Sequence, residues 1–280
     1  MRIKFWGVRG SIASPGPETA GVGGNTSSIE VTCGATRLLL DAGTGIRRLG
    51  DALLGEGPVD AALLLSHLHW DHIQGLPFFV PAYAPSTRLR VVGMATGVMS
   101  LRDALARQMQ APSFPVRLDE LGAALTFDEV RSGEQFDVGA ARVTAAKLNH
   151  PGGVLAYRVE HDGRSLVYAT DTEHYACVDP ALVALARGAD VLVYDAQYTP
   201  DEYAGRAGRS KVGWGHSTYV AGAEVAREAG VGELVLFHHD PARSDAGVAE
   251  IERLARELFP ATVAAREGLV LEPGRVARAA

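Results

Sequence analysis

Short apolar runs recur along the chain, separated by breaks that carry glycine or proline. Runs this short and rich in Val, Ile and Leu predict strands. The pattern predicts strands over residues 3–8, 28–33, 37–40, 61–65, 89–93, 125–129, 141–148, 154–160, 165–169, 191–194, 233–237 and 269–271. Gly34-Ala35 joins the second and third as a turn, and Asp162-Gly163 is a strong hairpin signal between 154–160 and 165–169. Apolar positions at helical spacing predict helices over 46–54, 98–108, 180–187, 218–228 and 245–258. A long loop is expected over 9–25, and an exposed or lid-like loop over 111–115, where two prolines break the pattern. Strands mixed with helices in this way predict an α/β (α+β) fold of two sheets packed face to face with helices outside.

Length and composition add limits. The 280 residues are 47% apolar, enough for a large core, and no Pro/Ser-rich linker or low-complexity tract divides them. A single domain over 1–280 is the expectation. The net charge is −6, so no general basic field favours nucleic acid. DNA is not expected as a partner, and RNA is disfavoured. Cys33 and Cys177 make neither a disulfide framework nor a zinc knuckle, and both are expected to be buried thiols in a reducing compartment. No signal-peptide pattern or membrane-length apolar run is visible, so a cytoplasmic protein without membrane contact is expected.

The chemistry concentrates at Ser66-His67-Leu68-His69-Trp70-Asp71-His72, directly after the apolar run 61–65. His67 and His69 are two apart, so in extended chain they can face one ion. Asp71 and His72 follow where the chain turns towards a helix and can face a second. Three histidines and an aspartate are costly to desolvate together unless they are paired or bind metal. Imidazole and carboxylate donors suit zinc first, with manganese and iron also possible. Further apolar runs also stop at such residues: Asn149-His150, Thr170-Asp171 and His238-His239.

The His-x-His-x-Asp-His string after an apolar strand resembles the signature of the metallo-β-lactamase superfamily of hydrolases. The resemblance spans nearly the whole chain and implies a four-layer αββα sandwich with two divalent metal ions. It implies that His67, His69 and His150 hold one ion, that Asp71, His72 and His238 hold the other, and that Asp171 bridges them. His238 is chosen over His239 because it directly follows the apolar run 234–237, which leaves His239 to support the ligands or line the pocket. Two ions ~3.5–4 Å apart can share a water, lower its pKa towards neutrality and clamp both oxygens of an ester. A cysteine at position 171 would have resembled the lactamase subgroup. Aspartate there fits phosphodiesterases, glyoxalase-type thioesterases and lactonases.

Gly213-Trp214-Gly215-His216-Ser217-Thr218 precedes a predicted helix, which Ser217 or Thr218 can cap. Its Gly-His-Ser-Thr string resembles ribonuclease Z and its cyclic-nucleotide phosphodiesterase relatives. In those proteins a histidine works beside an acid from an earlier strand. The matching acid here is Asp195, where the family usually carries glutamate. An Asp195–His216 pair would keep the imidazole charged and able to protonate a leaving alkoxide. With Asp71, these are the expected catalytic residues. The expected function is a phosphodiesterase acting on a small cyclic nucleotide or similar phosphodiester, through attack of a metal-activated hydroxide on phosphorus. A homodimer is possible.

Three alternatives remain: a lactonase or thioesterase on the same metals, ribonuclease Z-like RNA processing, and a non-catalytic scaffold. Against RNA processing, the interval 171–195 is too short for the basic tRNA-binding arm of ribonuclease Z. Weaker signals are the Gly23-Gly24-Asn25-Thr26 string, either a tight turn or a substrate contact, and His174, either pocket lining or exposed. His161 is expected to be solvated. Trp70, Phe78, Phe79 and Phe114 are expected in core or lid packing.

Overall fold

The strand-forming runs pair into two seven-stranded mixed sheets. The structure, a computed structural model, describes residues 1–94 and 97–274. The first sheet contains β1 (Arg2–Gly7), β2 (Ser28–Cys33), β3 (Thr36–Leu40), β4 (Asp60–Leu64), β5 (Arg88–Gly93) and β6 (Ala124–Glu129). The second contains β7 (Gln135–Val138), β8 (Ala141–Leu148), β9 (Val154–His161), β10 (Arg164–Ala169), β11 (Val191–Asp195), β12 (Glu233–Phe237) and β13 (Thr262–Ala264). β14 (Val270–Leu271) returns to the free edge of β1. The orders are β14-β1-β2-β3-β4-β5-β6 and β13-β12-β11-β10-β9-β8-β7.

Apolar side chains from both sheets, among them Phe5, Val31, Leu38, Tyr157, Tyr168 and Phe237, meet in the central layer. The helices are α1 (Gly45–Leu53), α2 (Trp70–Ile73), α3 (Leu101–Gln108), α4 (Pro180–Ala186), α5 (Pro200–Ala204), α6 (Tyr219–Ala229) and α7 (Asp245–Leu258). Ile46, Leu49 and Leu53 of α1 and Leu101 and Leu105 of α3 pack on the outer face of the first sheet. Leu182 and Val183 of α4, Ala223 and Val225 of α6 and Ile251 of α7 cover the second. The result is a four-layer helix–sheet–sheet–helix sandwich. No described helix is long and apolar enough to cross a membrane.

Register places the chemistry. β3, β4, β5 and β6 run parallel, as do β10, β11, β12 and β13, so their carboxyl ends gather at common edges. Asp195 pairs with Phe237, and Ala169 with Tyr194. Asp171, Asp195 and His238 therefore leave the second sheet at neighbouring points. Leu40 pairs with Leu64, so Asp41 and the Ser66–His72 stretch leave the first sheet side by side.

Several local expectations change. α3 starts three residues later than its spacing suggests, because Ser100 caps it by accepting from the Asp103 amide. The short polar edge strand β7, the three-residue β13 and α5 were not anticipated. α5 does carry a readable signal: Thr199 and Glu202 form a capping box around Pro200, and Gly205 closes the helix at φ 79°. The strand 154–160 extends to His161, and Asp162 and Gly163 turn with φ 51° and 68°, which matches the hairpin signal. Cys33 is buried, but Cys177 is exposed because it lies in a loop outside both sheets. Phe79 is core and Phe78 meets Phe114 edge-on at 5.6 Å, whereas Trp70 is 75% exposed. Trp70 begins α2 and faces away from the buried side that Asp71 and His72 occupy.

Candidate metal centre

Four chain segments meet where the two sheets' strand ends face each other. His67 follows β4, and His69 precedes α2, which carries Asp71 and His72. His150 follows β8, Asp171 follows β10, and His238 is the first residue after β12. Asp41, Asp171 and His238 all adopt left-handed backbone, with φ 61°, 50° and 58°. Such conformations cost non-glycine residues on the order of 1 kcal/mol each and gather at functional sites. Here each one turns a side chain at a strand end sharply into the site.

One group is His67, His69 and His150, another Asp71, His72, Asp171 and His238, and a third, Asp171, Asp195, His216 and His238, overlaps the second. Within each group one potential ligand atom per residue lies within 4.8 Å of the others. His69 Nδ1 faces His150 Nε2 at 3.0 Å. His238 Nε2 is 3.2 Å from both His72 Nε2 and Asp71 Oδ2. Asp171 lies between the first two groups. Its Oδ1 is 3.1 Å from both His72 Nε2 and His238 Nε2, while its Oδ2 is 3.6 Å from His67 Nε2 and 3.8 Å from His150 Nε2. His239 points elsewhere: its Nε2 bonds the Ala265 carbonyl at 2.9 Å, and burial pushes its pKa down to about 3.

Outer contacts orient the imidazoles. His150 Nδ1 donates to the Gly215 carbonyl (2.8 Å) and His238 Nδ1 to Gln197 Oε1 (2.9 Å), which turns both Nε2 atoms inward. His72 Nδ1 donates to Asp41 Oδ2 at 2.7 Å. Asp41 also accepts from Tyr168 Oη, Ser66 Oγ and the Ser66 amide, so this fully buried carboxylate ties both sheets to the site. Asp71 Oδ2 accepts from the Ser11 amide at 2.7 Å. The Ser11 loop is held by buried Arg9, which donates to the carbonyls of Gly23, Asp240 and Arg243. Asp41, Gln197 and Ser11 were not singled out from sequence. An aspartate ending β3 at the start of Asp41-Ala42-Gly43 was the one available signal.

The donor set fits metal ions. His67 Nε2 is buried without a hydrogen-bond partner among the described residues. Burial, with His72 adding like charge, holds His67 well below the ordinary imidazole pKa, so its lone pair is free at neutral pH. Burial works against a charge on Asp71, but His72 and His238 outweigh it and hold the carboxyl well below its usual range. Burial likewise opposes charge on His72, yet Asp171, Asp71 and Asp41 raise its pKa well above normal. Without cations the carboxylates draw protons onto the imidazoles, and inward-facing nitrogens such as the His69–His150 pair need a shared proton or a shared cation.

His216 stands beside these groups. Its Nδ1 donates to Asp195 Oδ2 at 2.8 Å and lies 3.8 Å from Asp171 Oδ2. Burial disfavours its charge, but Asp195, with Asp171 and Asp71 further off, raises its pKa to about 9. Asp195 Oδ1 accepts from the Gln197 and Ser217 amides, so the shorter acid is fixed in reach of the ring. Thr218 caps α6. Buried Glu173 accepts from Tyr203 Oη and from the Gly213 and Gly215 amides, which locks the strap between α5 and His216. A Cβ on Gly215 would meet His150 at 2.2 Å, so that position requires glycine.

The residues of the weaker signals have partners within the protein. Asn25 binds Glu267, and the Thr26 and Thr44 hydroxyls accept from each other's amides, so the Gly23–Thr26 string closes a loop. His174 bonds Ser217 Oγ at 2.8 Å and lies against Tyr203. His161 is half-buried at its hairpin.

Comparison with known proteins places the chain. A ribonuclease Z from Methanopyrus kandleri is 28% identical over 310 aligned positions, covering 98% of each protein. The crystal structure of a diphosphatase from the PhnP family superposes with a TM-score of 0.71 at 20% identity, covering 97% of both chains. Human tRNase Z, short form, superposes with a TM-score of 0.67 at 19% identity, covering 98% of this chain and 99% of that one. The expectation against RNA loses force beside a relative named as a ribonuclease. The family model for the beta-lactamase superfamily domain matches residues 36–239. The chain belongs to the beta-lactamase superfamily and is a metal-dependent hydrolase of the metallo-β-lactamase fold.

Proposed function

We propose that this chain is a phosphodiesterase working as one unit across residues 1–280. His67, His69 and His150 would hold one metal ion, and Asp71, His72 and His238 a second, with Asp171 shared. The observation that carries this reading is Asp171, whose two oxygens address the two groups while His216 approaches the same carboxylate. Nitrogen and oxygen donors favour zinc, with manganese or iron compatible. When bound, such a pair supplies an activated water and neutralises charge on a phosphoryl group.

The chain's own residues do the rest. Asp195 holds His216 by Nδ1 and favours the charged ring, so His216 can protonate a departing alkoxide. Glu173 fixes the Gly213–Gly215 strap, and through the Gly215 carbonyl it sets the His150 ring. The burial of Asp41, Asp71 and Asp171 keeps bulk water from screening these charges.

The substrate is a small cyclic nucleotide or a similar phosphodiester, such as a short RNA. The RNA reading is favoured by the relative named ribonuclease Z. A lactonase or thioesterase would not need the Asp195–His216 pair. Hydrolysis of bis(p-nitrophenyl) phosphate by metal-reconstituted protein tests the proposal, with Asp71→Ala as control. Turnover that depends on Asp71 supports it. Absence of turnover in protein shown to hold its metals overturns it and directs the search to lactones and thioesters.

A further inference from the structure

The strap that leads into His216 differs in charge from the rest of the chain. The protein carries a net charge of −6, yet residues 206–216 contain Arg206, Arg209 and Lys211 and no acidic residue. Arg206 is paired with Asp201. Among the described residues no carboxylate lies within ion-pair distance of Arg209 or Lys211. Instead both flank one aromatic ring. Lys211 Nζ is 4.0 Å from the Trp214 ring centre and the Arg209 guanidinium 5.9 Å. Trp214 is 44% exposed.

This arrangement is held in place. Glu173 binds the amides on both sides of Trp214, at Gly213 (2.7 Å) and Gly215 (2.8 Å), and the Trp214 amide donates to the Lys211 carbonyl. Lys211 also lies over Tyr198, 5.7 Å from its ring centre, and the same ring meets His216 edge-on at 5.9 Å. A cation without a carboxylate partner thus stands one aromatic ring away from His216. An ammonium lying on a π-face uses one side, and its other N–H donors remain open to an anion.

We infer that Lys211, Arg209 and Trp214 form a subsite for a second phosphate of the substrate, with an adjoining base or sugar against the indole. The inference rests on the phosphodiesterase reading and narrows it. A cyclic mononucleotide has one phosphate, which the metal centre would take, and it leaves nothing anionic for Lys211. The substrate class is therefore a linear phosphodiester that carries a further phosphate.

The test compares the dinucleotide ApA with its 5′- and 3′-phosphorylated forms, and with bis(p-nitrophenyl) phosphate, on metal-loaded protein. Wild type is expected to show a lower KM for one phosphorylated form than for ApA. The Lys211→Ala/Arg209→Ala double variant should raise that KM about tenfold, the scale of one charge-assisted contact, and leave kcat on bis(p-nitrophenyl) phosphate unchanged. Lys211→Arg should restore most of the preference. Equal KM for all three dinucleotides in wild type, or a preference that survives in the double variant, overturns the subsite. If wild type hydrolyses no phosphodiester, the phosphodiesterase reading fails by itself. Calorimetric titration of wild type with the same dinucleotides then decides the subsite: tighter binding of a phosphorylated form, lost in the double variant, supports it, and equal binding overturns it.

Discussion

Asp41 holds His72 by its Nδ1 at 2.7 Å, and the same carboxylate oxygen takes the Tyr168 hydroxyl from the opposite sheet at 2.6 Å. One buried aspartate thereby sets the direction of a potential ligand and couples the two sheets beneath the site. Asp41→Asn replaces one acceptor oxygen by a donor amide. It is expected to lower metal affinity by about 10- to 100-fold, the usual effect of losing an outer partner of a ligating histidine. Competition with a chelator measures this, and unchanged affinity would remove Asp41 from that role.

Metal uptake should release protons. Without metal, Asp171, Asp71 and Asp41 raise His72 above the ordinary imidazole pKa despite its burial, which favours the protonated ring. Ligation requires the neutral ring, so binding of the ion held by His72 must expel that proton. Affinity should rise about tenfold per pH unit for one linked proton, and level off once pH passes the raised pKa. Calorimetry at pH 7 in two buffers of different ionisation heat reads the proton count. A count of zero contradicts the prediction.

His216 is expected to matter in proportion to the leaving group. His216→Ala should reduce kcat by about 10²–10⁴ for an alkyl nucleotide ester, whose alkoxide needs a proton. The effect should be much smaller for p-nitrophenolate, which departs unaided. Asp195→Asn should follow the same pattern, because it removes the charge opposite Nδ1. An equal loss on both substrates would assign His216 to binding, and full retention on both would remove it from leaving-group protonation.

Glu173 takes three donors in a buried place. Glu173→Gln turns an amide NH2 against a backbone N–H and leaves a donor unsatisfied, at a cost of about 1–3 kcal/mol. Thermal or urea unfolding should show that loss. kcat should fall more than KM rises, because His150 and His216 are set by this strap. Wild-type stability in the variant would mean that water replaces the lost contact.

Chelation should lower the unfolding temperature of wild-type protein and leave Asp71→Ala less affected. Ions that bind the folded state alone stabilise it by mass action. Equal shifts in both proteins would place the stabilising ion away from Asp71.

Much of this was legible along the chain. Short apolar runs and the Asp162-Gly163 turn encode the strands locally, because strand preference and hairpin geometry depend on neighbouring residues. The elements that escaped are those with little local signal: β7 and β13 are short edges whose pairing partners supply the order. His67, His69, Asp71 and His72 could be singled out because their side chains lie close in sequence. His238 and His239 are adjacent and chemically identical, so their sequence position favoured one but could not show which ring enters the cluster. The φ of 58° at His238 and the Gln197 contact send its ring inward, while His239 turns to Ala265.

By itself, the sequence determined most of the strand pattern, the family and the residue types at the strand ends, because each is written in short stretches. The tertiary structure alone decided that Asp171 stands between two groups of ligands, that Asp195 reaches His216, and that Asp41, Gln197, Glu173 and the Ser11 amide orient them. These contacts cross between sheets or join distant loops. Their geometry follows from strand register and left-handed turns that close packing imposes, and no local periodicity records it.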